Sequence, residues 1–111
     1  MRAYEPLRRG GDFARVTRRG RRCAGTYLTC FVADGRRRTR VGITISASIG
    51  GAVVRNRLRR RIKGILDRSP LDALPWRDIV FIARPGAGEL PYPALADEVT
   101  RVFPDAAPAA A

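Results

Sequence analysis

The spacing of hydrophobic residues predicts three β-strands in this chain. Residues 25–33 are rich in β-branched and aromatic side chains, as strands are. Residues 39–46 alternate branched apolar residues with smaller or polar ones, which predicts a half-buried strand paired antiparallel with residues 25–33. Residues 78–84 are almost continuously apolar, which is typical of a central strand buried on both faces.

Apolar residues three or four positions apart predict three amphipathic helices, at residues 11–20, 52–67 and 93–103. Asp12 is the expected N-cap of the first helix, and Gly20 is its expected end. The residues expected to face the core are Val16, Val54, Leu58, Ile62, Ile65, Leu95, Val99 and Val102, and Phe13 lies on the same face of its helix as Val16.

The predicted order is α-β-β-α-β-α, with a further strand or bend before residue 46. At 111 residues, the chain has the size of one domain. We expect that domain to cover residues 1–103 and the Ala/Pro-rich residues 104–111 to be a disordered tail. The first residues lack the apolar core of a signal peptide, and no apolar run is long enough to cross a bilayer. A cytoplasmic protein with no membrane partner is therefore expected.

The helix at residues 52–67 carries a high density of positive charge. Six of the nine residues 55–63 are Arg or Lys, and Asn56 lies among them. Like charges three or four positions apart on a helix repel each other. The charge is also unevenly distributed along the chain. Residues 1–63 hold 18 basic and 3 acidic residues, whereas residues 64–111 hold 4 basic and 7 acidic residues. This distribution is typical of a surface that binds nucleic acid, and the helix lacks the Trp/Phe-rich face that would favour a membrane.

The helical period predicts where each of these cations lies relative to the apolar stripe of the helix. Opposite the apolar stripe lie Asn56, Arg59, Arg60 and Lys63, and Arg55 and Arg57 flank it. Arg61 lies near the stripe, so its stem is expected to pack while its guanidinium reaches water.

The composition excludes several kinds of chemistry. The chain has no His and two Cys, Cys23 and Cys30, which are too far apart in sequence for a CxxC pair. Catalysis by His and zinc sites are therefore excluded, and we expect no catalytic and no metal-binding residue. Cys30 is expected to be a small core residue and Cys23 a free thiol. The acidic pair Asp97-Glu98 is expected on a solvated helix face.

Two features leave alternatives open. Phe13, Tyr27 and Phe31 either pack in the core or form a platform on which unpaired bases stack, and the spacing of Tyr27 and Phe31 predicts that they share one strand face. Gly50-Gly51 before the basic helix is a flexible turn, a turn beside a polynucleotide backbone or, least favoured, a nucleotide site.

Three stretches of the chain resemble the protein component of bacterial ribonuclease P. The first is Arg40-Val41-Gly42-Ile43-Thr44-Ile45-Ser46, followed by Gly50 and by Ala52-Val53-Val54-Arg55-Asn56-Arg57-Leu58-Arg59-Arg60. The triplet Arg55-Asn56-Arg57 in this stretch is the hallmark of the family. The second is Asp78-Ile79-Val80-Phe81-Ile82-Ala83-Arg84-Pro85-Gly86-Ala87 followed by Glu89, Leu90, Tyr92 and Leu95, and the third is Phe13, Val16 and Gly20. Together they cover about residues 7–103 in the family's order.

The resemblance implies a fold and a division of labour. The fold would be α+β, a two-layer αβ sandwich with a mixed four-stranded sheet in α-β-β-β-α-β-α order. A left-handed βαβ crossover, against the usual right-handed rule, would carry the basic helix. The partner, one ribonuclease P RNA per protein, would cleave the 5′ leader from precursor tRNA with Mg²⁺, and the protein itself would bind no cofactor.

The resemblance also implies site residues. The RNA-binding set would be Arg55, Asn56, Arg57, Arg59, Arg60 and Lys63. The cleft for the single-stranded leader would contain Phe13, Thr17, Phe31 and Thr44.

This chain departs from the family pattern in places. Ala47-Ser48 stands where Lys-Lys is frequent, Gly51 where Asn is frequent, Thr17 where an aromatic residue is frequent, and Pro91 where a Ser or Thr caps the last helix. The Arg36-Arg37-Arg38 turn would restore positive charge elsewhere.

Two other functions suit a small basic protein. The first is a structural RNA-binding protein of the ribosomal type with no role in cleavage. The second is a self-sufficient nuclease, which the absence of His and of paired carboxylates in the basic half disfavours.

Overall fold

The computed structural model describes residues 4–71 and 75–106. Its elements are β1 (Glu5–Pro6), α1 (Gly10–Arg19), β2 (Arg21–Ala24), β3 (Leu28–Asp34), β4 (Arg40–Thr44), α2 (Ala52–Asp67), β5 (Arg77–Ala83) and α3 (Tyr92–Val102). From α1 onward the order α-β-β-β-α-β-α is confirmed. The sheet has five strands rather than four, because β1 precedes α1. Two residues are too few to show an alternation, so the pattern could not predict β1.

The sheet has the order β1-β4-β5-β3-β2. The predicted antiparallel pairing of residues 39–46 with residues 25–33 is wrong, because β5 lies between β4 and β3. β5 runs parallel to β4 and antiparallel to β3. The physical reason is burial: β5 is the most apolar strand and gains most from neighbours on both edges and cover on both faces. Since β4 and β5 are parallel, α2 is the crossover that connects them, as expected.

The main core lies between the sheet and the helix pair α2 and α3. Residues Ile79 and Phe81 of β5 face this layer and are fully buried. The predicted stripe of α2 packs here, with Leu58, Ile62 and Ile65 buried and Val54 half-buried. The residues of α3 that were predicted to face the core are also buried: Leu95, Val99 and Val102.

A smaller core lies on the opposite face of the sheet, beneath α1. It consists of Leu7, Val16 and Val80, with Phe13 and Phe31 packed against it. Alternation along β5 explains the two cores, because successive residues point to opposite faces. The sheet thus forms the two-layer sandwich with α2 and α3, and α1 covers part of its second face.

The ends of the helices differ in detail from the prediction. Arg9, not Asp12, occupies the N-cap of α1, and Asp12 lies within the first turn. Asp12 instead contacts Arg40 on the sheet, at 3.2 Å between Nη1 and Oδ2. Gly20 does end α1, and its N–H donates to the carbonyl of Val16.

The packed chain extends past residue 103, the predicted limit of the domain. Pro104–Ala106 form a turn of 3-10 helix, Ala106 is buried, and its carbonyl accepts a hydrogen bond from Ser69 Oγ at 2.7 Å. The rest of the predicted tail, residues 107–111, lies outside the described residues. In the described part of the chain, no helix has both the length and the apolar character needed to cross a membrane.

Candidate nucleic-acid interface

One face of α2 is a cationic surface, as predicted. Asn56 and Arg60 are exposed, and Arg59 and Lys63 are half-buried beside them. These four residues line one shallow depression together with Val53, whose side chain is 80% exposed. Arg59 Nη1 donates to the side-chain oxygen of Asn56 at 3.1 Å, so the amide fixes the direction of the guanidinium. The face offers several cationic hydrogen-bond donors side by side, which suits contact with phosphate oxygens.

The other predicted cations of α2 lie apart from this face. Arg55 is half-buried, and its Nε donates to the carbonyl of Gly50 at 3.2 Å. Arg57 is exposed, but the helical period places it on the flank opposite Arg59, near Arg61. Arg61 does pack, yet its guanidinium donates to the carbonyl of Leu90 at 2.9 Å instead of ending in water. The structure therefore brings together four of the six predicted RNA-binding residues.

The loop before α2 contacts the helix through its backbone carbonyl groups. Gly51 is the N-cap of α2, with extended backbone and no side-chain cap, and its carbonyl accepts the N–H of Arg55. Gly50 is the carbonyl partner of the Arg55 side chain. The backbone carbonyls of this loop therefore position Arg55, the first cation of α2.

The predicted leader cleft lies on the sheet face that α1 partly covers. Strand register places Gly42, Val80 and Phe31 in one row across β4, β5 and β3, and Thr44, Ile82 and Thr29 in the next. α1 packs over the first row, and Thr44 in the second row is exposed. Ile82 is half-buried between the two threonines and forms part of the cleft floor, a role that its apolar strand pattern does not indicate.

Phe13 depends on a glycine opposite it. A Cβ added at residue 42 would overlap with the Phe13 ring, so only Gly42 allows the ring to lie on β4. Thr17 follows one turn later on the same edge of α1, and its hydroxyl donates to the carbonyl of Phe13 at 2.9 Å. The four predicted cleft residues thus share one sheet face, with Phe13 and Thr17 on the helix and Phe31 and Thr44 on the strands.

The structure answers the question about the aromatic residues in part. Phe13 and Phe31 are both half-buried, so each ring packs against the small core and keeps an accessible portion. The spacing predicted that Tyr27 and Phe31 share one strand face, and this prediction is wrong. Tyr27 packs against the main core on the other side of the sheet. The reason is that β3 begins at Leu28, so strand alternation does not extend to Tyr27.

A buried carboxylate fixes α1 to the sheet. The side chain of Asp78 is fully buried and accepts bonds from Arg40 Nε at 2.9 Å and Arg40 Nη2 at 2.7 Å, and a further bond from Arg15 of α1. Burial by itself raises the pKa of Asp78, but the bonds from Arg40 and Arg15 outweigh it and hold the pKa below its ordinary value. These bonds tie α1 to β4 and β5, which carry part of the cleft.

Glu98 corrects the expectation for the acidic pair on α3. Asp97 is exposed as expected, but Glu98 is only 1% exposed. Its Oε2 accepts the backbone N–H groups of Tyr27 at 2.6 Å and Leu28 at 3.0 Å, and its Oε1 pairs with Arg101 at 2.7 Å. The carboxylate therefore satisfies two donors at the start of β3, which no local sequence pattern indicates.

The two cysteines lie opposite each other on β2 and β3. Cys30 is a buried core residue as expected, and Cys23 is an exposed free thiol. Burial and the neighbouring Cys23 raise the pKa of the Cys30 thiol to about 12. Within residues 4–71 and 75–106, no three His, Cys, Asp or Glu side chains are grouped as a metal site would require.

A groove at the β1 edge connects the two candidate surfaces. Phe13 and Gly42 line it from the α1 face of the sheet, and Arg59 and Lys63 line it from α2. Arg8 lines the same groove because it lies two residues after the short strand β1. No periodic signal could have found Arg8, since its position depends on the pairing of β1 with β4.

The fold and this surface define a class of protein: a small basic α+β protein that presents a cationic crossover helix beside an aromatic-lined cleft. Comparison with known sequences makes the class specific. The family described as Ribonuclease P matches residues 1–107. The chain belongs to the ribonuclease P protein family, whose members are RNA-binding subunits of a ribonucleoprotein endoribonuclease that processes tRNA.

Individual relatives agree with this assignment. The ribonuclease P protein component of Acidothermus cellulolyticus is 40% identical over 101 residues, which cover 87% of this chain and 83% of that protein. The one from Streptomyces bikiniensis is 38% identical over 105 residues, or 84% of each chain.

Solved structures share the fold. The RNase P protein of Staphylococcus aureus superposes with a TM-score of 0.81 at 22% identity, covering 94% of both chains. The RNase P protein of Thermotoga maritima gives 0.76 at 25% identity, covering 89% of this chain and 94% of that one.

Proposed function

We propose that this protein docks on the catalytic RNA of ribonuclease P through the exposed face of α2 and holds the 5′ leader of precursor tRNA in the cleft beside α1. The RNA would hydrolyse the phosphodiester bond with Mg²⁺, and the protein would raise affinity for the substrate. This role would place the protein in the cytoplasm with its RNA.

The observation that carries the proposal is the continuity of the two surfaces. The groove at the β1 edge contains Phe13 of the cleft and Arg59 and Lys63 of α2. An RNA bound along α2 and a strand lying in the cleft would therefore be neighbours on this protein. Such an arrangement suits a protein that must hold a substrate next to a catalytic RNA.

The chemistry of each surface suits its proposed ligand. Arg and Lys on the exposed face of α2 would neutralise phosphates of a folded RNA, which is a strongly salt-dependent contact. The accessible portions of Phe13 and Phe31 would stack on unpaired bases, which every base can accept through its π-face. Sequence-tolerant stacking suits leaders, because leaders differ between tRNA precursors.

The test is cleavage of a precursor tRNA by the ribonuclease P RNA of the same genome at low Mg²⁺, with and without this protein. We expect the protein to restore cleavage at Mg²⁺ concentrations where the RNA alone is slow. If the protein binds that RNA and leaves cleavage unchanged, it is an RNA-binding protein without a role in processing. If the protein cleaves with no RNA partner present, the proposed division of labour is wrong.

A further inference from the structure

A second cluster of arginines lies at the opposite end of the sheet face from Thr44. It lines a pocket between the N-terminus of α1 and the connection from β3 to β4, and it consists of Arg9, Arg15, Arg36, Arg37, Arg38 and Arg40, with Glu5 and Asp12 among them. None of these arginines belongs to the RNA-binding set on α2 or to the leader cleft.

Half of the cluster is neutralised by the protein itself. Arg15 and Arg40 share the buried carboxylate of Asp78, and Arg38 pairs with Glu5 at 3.1 Å. These pairs hold the loop and the N-terminal segment together, and each contains a carboxylate that compensates its arginine.

The other half carries uncompensated charge. The side chains of Arg9, Arg36 and Arg37 are exposed and form no ion pair or hydrogen bond with any residue of the described chain. Three guanidinium groups around one open pocket repel each other, so this arrangement lowers the stability of the free protein. An anion with several phosphates in this pocket would offset the repulsion.

The position of the pocket indicates which anion. The helical period of α1 directs Asp12 and Arg15 towards the pocket and Phe13 and Thr17 towards the cleft, so α1 separates the two. The pocket is, however, next to the α2 surface along the β1 edge. Arg9 lines the pocket, and its neighbour Arg8 lines the groove at the β1 edge. Phe13 of the cleft also lines this groove, but the other cations of the groove, Arg59 and Lys63, belong to α2.

We infer that the RNA bound by α2 continues along the β1 edge and places backbone phosphates against Arg9, Arg36 and Arg37. This inference rests on the proposed function and adds to it a third contact surface, which serves the catalytic RNA and not the leader. Arginine suits this role because its planar guanidinium binds phosphate oxygens in pairs. The surface also supplies cations in a protein that has Ala47-Ser48 before α2.

The test is a salt titration of the affinity for the ribonuclease P RNA, comparing the full-length protein with R36Q/R37Q. If both arginines contact phosphates, the salt dependence should become weaker, and the magnitude of the slope of log affinity against log salt should decrease by about 1.4 to 1.8. The matched control is R18Q/R68Q, which removes the same charge from two exposed positions outside the pocket and should leave the slope within error of the wild type. Circular dichroism melting of both variants checks that the fold is intact.

The outcomes separate this inference from the proposed function. If R60Q on α2 lowers the slope and R36Q/R37Q does not, the pocket makes no RNA contact and this inference alone is overturned. If R36Q/R37Q leaves RNA affinity unchanged but weakens only substrates with a leader, the pocket serves the leader and the inference is also overturned. If the wild-type protein does not bind this RNA at all, the proposed function fails together with the inference.

Discussion

At the scale of single residues, two buried carboxylates hold elements together that are far apart in the chain. Glu98 of α3 accepts the N–H groups of Tyr27 and Leu28, and Asp78 of β5 accepts Arg15 and Arg40. Both acids are charged groups removed from water, a position that is tolerated only where hydrogen bonds or opposite charges compensate. Their partners fix the start of β3 and the position of α1, and both elements carry cleft residues.

Replacing Glu98 by Ala leaves one buried and one partly buried N–H group without an acceptor, so the free energy of unfolding should fall by about 2 to 4 kcal/mol. Its neighbour Asp97 is exposed, and D97A should change stability by no more than about 0.5 kcal/mol. Urea denaturation of both variants measures the difference. Equal effects would mean that Glu98 does not hold the turn at residues 25–27.

The pKa of Asp78 predicts a pH dependence of stability. Because the pKa of this carboxyl is lower in the folded protein than in the unfolded chain, where it is about 3.9, the ion pairs stabilise the fold fully above that pH. The stabilisation is lost progressively as the pH falls from about 4 through the lower pKa of the folded protein. Denaturation at a series of pH values should show D78N less stable than wild type near neutral pH by about 3 kcal/mol, with the difference narrowing in acid. A constant difference at all pH values would contradict the ion-pair assignment.

Phe31 should contribute to leader binding. We expect F31A to weaken binding of a precursor tRNA with a leader by about tenfold, the loss of one stacked base, and to leave a leaderless tRNA nearly unaffected. The control is F103L, which alters a buried ring in the main core on the other side of the sheet. Binding of both tRNAs by the assembled enzyme is the measurement. Equal losses for the two tRNAs would assign Phe31 to the core alone.

At the scale of elements, α2 illustrates what a local pattern can predict. The helix was expected at residues 52–67 and is found at Ala52–Asp67, with its stripe buried as predicted. A helix fixes the relative directions of its side chains, so its polar face follows from the sequence alone. The individual contacts of Arg55 and Arg61 did not follow, because their acceptors, Gly50 and Leu90, belong to the flanking loop and to a distant turn.

This difference between the cations of α2 is measurable. Arg60 is exposed on the cationic face, so R60Q should lower the salt slope of RNA affinity by about 0.7 to 0.9. Arg55 already donates to Gly50, so R55Q should lower the slope less and destabilise the start of α2 more. Salt titrations and thermal melts of the two variants test both statements. A larger slope change for R55Q than for R60Q would contradict the arrangement of the face.

The strands show that a local pattern predicts the strands themselves but not their pairing. Residues of β3, β4 and β5 were predicted as strands from their own side chains, and all three exist. Their pairing was not predictable in the same way, because β5 enters the sheet between two strands that precede it by more than thirty residues. The burial of Glu98 has the same origin, since its partners lie about seventy residues earlier. Both features are decided by packing between distant segments.

At the scale of the whole molecule, the sheet brings together charges and aromatic rings that are scattered over the first two-thirds of the chain. The cleft uses α1, β3, β4 and β5, and the cationic surface uses α2 and the segment after β1. The cleft residues were assigned by family resemblance, and the fold places all four on one sheet face. The Arg8 groove and the Arg36–Arg37 pocket needed the tertiary structure, because each combines segments that no single window of sequence contains.

The central claim is that the two surfaces hold two different RNAs, and photo-crosslinking in the assembled enzyme with bound precursor tRNA tests it most directly. A photoreactive amino acid would replace Arg60 on α2, Thr44 in the cleft, or Asp97 on α3 as a control, all exposed positions. We predict that position 60 crosslinks to the ribonuclease P RNA, position 44 to the tRNA leader and position 97 to neither. Crosslinking of positions 60 and 44 to the same RNA molecule would contradict the account.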